Sequence, residues 1–256
     1  MLKISQLIKS FPGGFEPVLK GISLEIEAGD FCVILGSNGS GKSTLMRCLS
    51  GDYELDSGAV YLGGQDVTRR NRSKFIASVI QDTNKGTIPE MTLLENMALS
   101  KMRSQRARFC FYKKYEKEVV QEVKGLGIGL ESYLYKPLGL LSGGQRQMVA
   151  TLMAMSSAPQ LLLLDEHTSA LDPKTQHILM NYTAHHIYKN KVTSLMVTHK
   201  LDDAVRFGNR LIMLHQGKIV KDVKGAQKSG LGVEELLSLF HQYEDQMLTA
   251  GKEGRP

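Results

Sequence analysis

The sequence predicts an α/β domain built on a mostly parallel sheet with both faces covered. Three observations carry this. Segments of strand pattern recur at residues 31–35, 161–164, 192–198 and 211–214, segments of helical pattern at 42–49 and 175–188 lie between them, and residues 86–155 break the alternation with a mainly helical stretch. Apolar strands interleaved with helices mark a sheet buried on both sides.

Each element has a local reason. The first 30 residues, with 60–68, read as strands and turns: Leu24-Glu25-Ile26-Glu27 alternates, and Ala28-Gly29-Asp30 turns into the run 31–35. That run ends in a glycine-rich loop, after which 42–49 reads as a helix closed by Gly51. A further strand is expected at 77–80. Thr92 and Glu95 have the spacing of a capping box ahead of 96–99, and 115–124 reads as a helix stopped near Gly125, Gly127 and Gly129. The strand at 211–214 precedes a turn at Gln216-Gly217. Val233, Leu236, Leu237, Phe240 and Met247 recur at helical spacing and predict a C-terminal helix, approximately 232–248, packed on the core, before a frayed tail at 251–256.

Bulk properties narrow the class. The chain has 256 residues, room for one large domain or two small ones, and 42% of them are hydrophobic, ample for a core. No stretch approaches the roughly 18 unbroken apolar residues of a membrane span. The opening segment alternates like a strand and lacks the charged region, apolar region and cleavage site of a secretory leader, which predicts a cytosolic chain. Cys32, Cys48 and Cys110 form an odd, widely spaced set without zinc spacing, so reduced thiols are expected rather than disulfides. Net charge is +6, and residues 101–117 hold seven Lys/Arg and one Glu. That run suits a solvated helix face, or equally a membrane-facing or partner-facing surface. Without an interleaved aromatic platform, no nucleic-acid partner is expected.

Gly36-Ser37-Asn38-Gly39-Ser40-Gly41-Lys42-Ser43 fits G-x-x-x-x-G-K-[ST] at every fixed position, between an expected strand and an expected helix. Glycines let backbone N–H groups approach phosphate oxygens, and the following helix points its N-terminus at the same anion. Lys42 is the candidate to neutralise β- and γ-phosphate charge, and Ser43 to offer its hydroxyl to Mg²⁺. The apolar strand at 161–164 runs directly into Asp165-Glu166. A buried parallel strand delivers its C-terminal residues to the ligand crevice, so Asp165 is expected to help hold Mg²⁺ and Glu166, pointing elsewhere, to polarise an attacking water.

Leu141-Ser142-Gly143-Gly144-Gln145 precedes a helical run at 146–155. Ser142 and Gln145 alone account for a capping box, which needs no ligand. Two consecutive glycines at a helix start add the sense of bare backbone approached by something else. With this segment the sequence resembles the ABC ATPase family, whose signature is LSGGQ, over roughly residues 1–220. The resemblance implies a P-loop NTPase of the ABC ATPase type: one domain over 1–256, with a mostly parallel sheet core, an N-terminal antiparallel β-subdomain and an inserted helical subdomain at approximately 86–155.

It also implies roles. ATP with Mg²⁺ binds at 36–44, including Thr44, and Ser142, Gly143, Gly144 and Gln145 of a second copy close over the γ-phosphate. Gln81 matches the glutamine loop that senses Mg²⁺ and contacts the membrane domain, and His199 the switch histidine at the γ-phosphate. Ser169-Ala170-Leu171-Asp172 matches the loop that joins the two subunits. Phe11 fits the aromatic that stacks on adenine, with Phe15 competing for the place. His167 stands where many members have proline, which implies a less rigid turn, and Met148 and 153–155 replace arginine-bearing versions of the signature helix. The run 165–175 resembles the branch paired with separate permeases and substrate-binding lipoproteins for amino acids such as tryptophan or tyrosine. A peripheral position at the cytoplasmic face of the cell membrane follows from that resemblance. The rival expectation is an ABC-type ATPase in a soluble, non-transport assembly.

Overall fold

The computed structural model describes residues 1–80, 86–103, 111–239 and Gln242. Two sheets organise it. The first is four-stranded and antiparallel, in the order β2-β1-β4-β5, from β1 (Leu2–Lys9), β2 (Leu19–Ile26), β4 (Ser57–Leu62) and the short β5 (Gln65–Asp66). The second is six-stranded, in the order β10-β9-β3-β8-β7-β6. Its members are β3 (Phe31–Leu35), β6 (Ile76–Val79), β7 (Leu161–Asp165), β8 (Thr193–Val197), β9 (Arg210–His215) and β10 (Lys218–Lys224). All its pairings are parallel except β9 with β10.

Alternation along the central strands feeds two cores. Cys32 and Ile34 of β3, with Leu161 and Leu163 of β7, face the antiparallel sheet and α1 (Lys42–Ser50). Phe31, Val33 and Leu35, with Leu162 and Leu164, face the helices α2 (Leu93–Met102), α3 (Glu116–Lys124), α4 (Gly143–Ser156) and α5 (Pro173–Asn190). Two-sided burial is why these strands read as continuous apolar runs. Two small helices, α6 (Leu201–Arg206) and α7 (Ala226–Ser229), follow β8 and β10.

The local signals act where expected. Gly51 closes α1 in the left-handed conformation, and the Thr92/Glu95 box caps α2 in both directions. Other parts differ. β10 was not expected, and residues 126–141 form single 3₁₀ turns at Leu130–Tyr133 and Leu138–Leu140 rather than a helix. At the C-terminus residues 233–239 are helical, with Leu236 fully buried and Leu239 packed beside it, but Val233 and Leu237 are 36% and 46% exposed. That helix therefore lays only part of the expected stripe on the core; Phe240 and Met247 lie outside the described residues, as does Cys110. Burial pushes the Cys32 and Cys48 thiols up to about 12 and about 11, as suits inert core cysteines.

Candidate functional site

Strand ends meet along one edge of the parallel sheet. β3 runs into the glycine loop, β7 finishes at Asp165 and β8 leads to Thr198 and His199. β6 leads toward Gln81, which lies outside the described residues. This is the edge where an open α/β sheet takes its ligand.

The loop is shaped by its own chain. Gly36, Gly39 and Gly41 have φ of 156°, 80° and 101°. A Cβ on Gly36 would stand 2.1 Å from the Leu214 carbonyl oxygen and 2.6 Å from Ser40 Oγ, whereas one on Gly39 would meet nothing within 4 Å. One glycine thus lets the loop close on β9, and another keeps its outer face bare. The turn after β9 locks the arrangement, with Gly217 N–H donating to the Ser40 carbonyl at 2.9 Å. Helix α1 starts at Gly41 without a side-chain cap and without an acid in its first turn, so its partial positive charge is left for an anion. Lys42 is 5% exposed, and its ammonium donates to the carbonyls of Gly36 and Ser37 at 2.8 and 2.9 Å. Burial draws its pKa down, opposed by Glu166 and Asp165.

Opposite the lysine stand two carboxylates with different surroundings. Asp165 is 6% exposed, and Ser43 Oγ donates to its Oδ1 at 3.4 Å. Burial raises the Asp165 pKa; the Ser43 bond, Arg47 and Lys42 pull against it. A buried carboxylate disfavoured in its charged form, beside a hydroxyl from another element, is a pair of hard oxygen donors that a divalent cation would relieve. Glu166 adopts φ 49°, a strained position for a non-glycine residue, held by its N–H donating to Val197 O at 3.2 Å. That turn sends its side chain away from Asp165, and Glu166 Oε1 lies 2.6 Å from His199 Nε2. His167, next in the turn, is 1% exposed, its Nε2 has no partner among the described residues, and burial pushes its pKa down to about 4.

The signature segment is built otherwise. Ser142 and Gln145 form a complete capping box on α4, side chain to backbone at 3.2 and 3.0 Å. A Cβ on Gly144 would stand 2.9 Å from Leu171 Cδ2, so this glycine seats the 169–172 loop. A Cβ on Gly143 would meet nothing within 4 Å, and Gly143 is absent from the positive-φ positions. Nothing among the described residues requires glycine there. Asp172 is the N-cap of α5, accepting from Thr175 N–H at 3.1 Å.

Phe11 and Phe15 separate clearly. Phe11 packs edge-on against Tyr53, ring centroids 5.2 Å apart, while Phe15 is fully exposed. Arg47 donates to the Tyr53 hydroxyl at 2.6 Å and its charge reaches Asp165, so it links the aromatic hairpin to the acidic pair. Sequence reasoning passed over it; the available signal was its position one helical turn after Ser43. Among the described residues, no group of three or more His, Cys, Asp or Glu is placed to hold a metal ion.

Residues 19–169 match the family model described as ABC transporter. A tyrosine transport ATP-binding protein of Clostridioides difficile is 41% identical over 94% of this chain and 98% of its own. A phosphonates import ATP-binding protein of Rhodopseudomonas palustris is 32% identical over 99% of this chain and 94% of its own. Among solved structures, the ATP-binding cassette MJ0796, dimeric in a post-hydrolysis state bound to ADP and Pi, superposes with TM-score 0.77 at 30% identity over 88% of this chain and 98% of that one. No helix among the described residues is long and apolar enough to cross a membrane. The rival expectation of a non-transport ATPase gives way: this chain belongs to the ABC transporter family, as an ATP-binding, ATP-hydrolysing subunit.

Proposed function

We propose that the chain is the motor of an importer and that its active site is completed by a second copy of itself. The observation that carries the reading is the convergence of Lys42, Ser43, Asp165, Glu166 and His199 at one sheet edge, ahead of an uncapped helix N-terminus. The backbone from Gly36 through Thr44, including Ser37, Asn38, Gly39, Ser40 and Gly41, cradles the phosphates of ATP. Lys42 exchanges its two carbonyl contacts for β- and γ-phosphate oxygens. Ser43 and Asp165 would hold magnesium, with Gln81 as a further contact; bound there, the metal neutralises charge on the two outer phosphates.

Glu166, turned out of line with Asp165, accepts a proton from the attacking water, and His199 positions that water against the γ-phosphate. The Ser142, Gly143, Gly144 and Gln145 of the second copy close the site: the Ser142 hydroxyl accepts its capping bond and still has a proton to donate. Asp172 and its loop join the two copies, and Phe11, steadied by Tyr53, stacks on adenine. Hydrolysis removes the phosphate that both copies touch, and the dimer opens.

The domain organisation follows: one cassette over 1–256, whose helical insertion at about 86–155 passes the opening to a separate membrane permease. The subunit sits peripherally on the cytoplasmic face. A separate substrate-binding protein and a small organic cargo such as an amino acid complete the system, supported by the tyrosine-transport relative at 41% identity. Purified protein is expected to cleave ATP only with magnesium present, and the complete system to take up labelled tyrosine. Absence of magnesium-dependent cleavage, with and without the permease, would sink the reading; cleavage without tyrosine uptake would sink only the cargo.

A further inference from the structure

The basic run at 101–117 divides in the folded chain. Lys101, at its start, is buried inside: its ammonium lies 2.6 Å from Glu122 and 2.9 Å from Glu118, tying α2 to α3. Arg103, exposed along its length, has its guanidinium tied back to the Ile76 carbonyl at 3.0 Å. These charges are spent on structure. The end of the run is different. Lys113 and Lys117 are exposed, in and just after a 3₁₀ turn at Tyr112–Tyr115 that leads into α3. The same turn carries Phe111 at its N-cap, 90% exposed, and Tyr112, 36% exposed.

A second turn comes back beside the first. After α3 the chain makes the 3₁₀ turn Leu130–Tyr133 and presents Tyr135, 56% exposed, and Lys136. The Tyr135 hydroxyl donates to Glu116; that bond, with a small contribution from the neighbouring Tyr112, holds the Tyr135 phenol above its ordinary value. The Lys136 ammonium lies 4.7 Å from the centre of the Tyr133 ring. Of the acids nearby, Glu116 is engaged by Tyr135 and Glu118 by Lys101. These two turns leave three aromatics, Phe111, Tyr112 and Tyr135, and three lysines, Lys113, Lys117 and Lys136, exposed.

We propose that Phe111, Tyr112 and Tyr135, with Lys113, Lys117 and Lys136, dock on an anionic lipid surface. Charge complementarity selects this occupant. Lysine stems lie along apolar surface while their ammoniums meet lipid phosphates, tyrosine is at home at the boundary between headgroup and acyl chain, and a phenylalanine supplies the insertion. Two weak signals, basic charge and an exposed ring, together make a reversible anchor where one does not. The contact is the chain's own with the bilayer, so it stands or falls apart from nucleotide chemistry and from any permease.

The test is co-sedimentation of the purified full chain with vesicles of phosphatidylcholine alone or mixed with phosphatidylglycerol, at low and high salt. The chain is expected to sediment with the anionic vesicles at low salt and not with the neutral ones. The triple variant Lys113→Glu, Lys117→Glu, Lys136→Glu should lower that partition at least ~100-fold, and Phe111→Ser about tenfold. All four positions are surface ones, so thermal midpoint and basal ATP cleavage should match the unmodified chain. Equal partition into neutral vesicles, partition unchanged in the triple variant, or no sedimentation of the unmodified chain would each overturn the proposal. So would a result in which the three lysines retain single-stranded DNA and not vesicles, because the partner would then be a nucleic acid.

Discussion

The helix starts at α1 and α4 each carry a run of glycines, and they are glycine-rich for opposite reasons. At α1 the glycines answer to their own chain: Gly36, Gly39 and Gly41 all have positive φ, and a Cβ on Gly36 would collide with the Leu214 carbonyl at 2.1 Å. At α4 the helix is fully capped by Ser142 and Gln145, and Gly143 has open space and no positive φ to explain it. On the proposed reading, a finished helix end with an open glycine on its outer turn is the surface offered to a second copy, and the contrast is between a preassembled site and one completed by a partner.

Breaking the first helix start should have the largest effect. Gly36→Ala forces the loop off β9 and is expected to lower stability by about 4 kcal/mol or more, read from a urea midpoint. Next comes the buried histidine behind the acidic pair. The fold holds the His167 pKa down to about 4 from 6.5, so the unfolded chain takes up the proton first as pH falls. Stability attributable to this residue is intact above 6.5 and lost progressively toward pH 4, by about 3 kcal/mol. Urea midpoints of the unmodified chain and His167→Leu across that window should therefore diverge as pH falls; parallel curves would show that His167 is not buried as described.

Lys42→Ala is expected to weaken ATP binding about 100-fold by calorimetry, through loss of charge-assisted contacts. The smallest effect on folding sharpens the comparison most. Gly143→Ala should leave the urea midpoint unchanged or raise stability by up to about 1 kcal/mol, because nothing among the described residues meets the new methyl. Its ATP turnover should nonetheless fall. A Gly143→Ala chain that folds normally and cleaves ATP at the original rate would erase the distinction between the two helix starts.

Much of the site could be read from residues because its chemistry is local. Lys42 and Ser43 follow the glycine loop directly, and Asp165-Glu166 end a strand whose two-sided burial makes it uniformly apolar. What escaped depends on distant packing. β10 is an edge strand, Lys218–Lys224, exposed or half-exposed at all but one position, so it lacks the apolar run that announces a central strand; its pairing with β9 supplies the order. Arg47 joins the site only because α1 lies against β7, and Gly143 and Gly144 look alike until Leu171 is seen packed on one of them. Of the C-terminal stripe, Leu236 is buried and Val233 and Leu237 are not, since the face that packs is chosen by the core it meets.

The central claim is that catalysis needs two copies, each lending α4 to the other's phosphate loop. Glu166→Gln should bind ATP, slow turnover by about 10²–10⁴-fold and so hold the closed state. Light scattering of Glu166→Gln with ATP and magnesium, beside the double variant Glu166→Gln, Ser142→Arg, measures the claim directly. The account predicts that ATP doubles the mass of the first and leaves the second monomeric with its nucleotide bound. A double variant that still dimerises with ATP, or a Glu166→Gln chain that stays monomeric with its site filled, would contradict it.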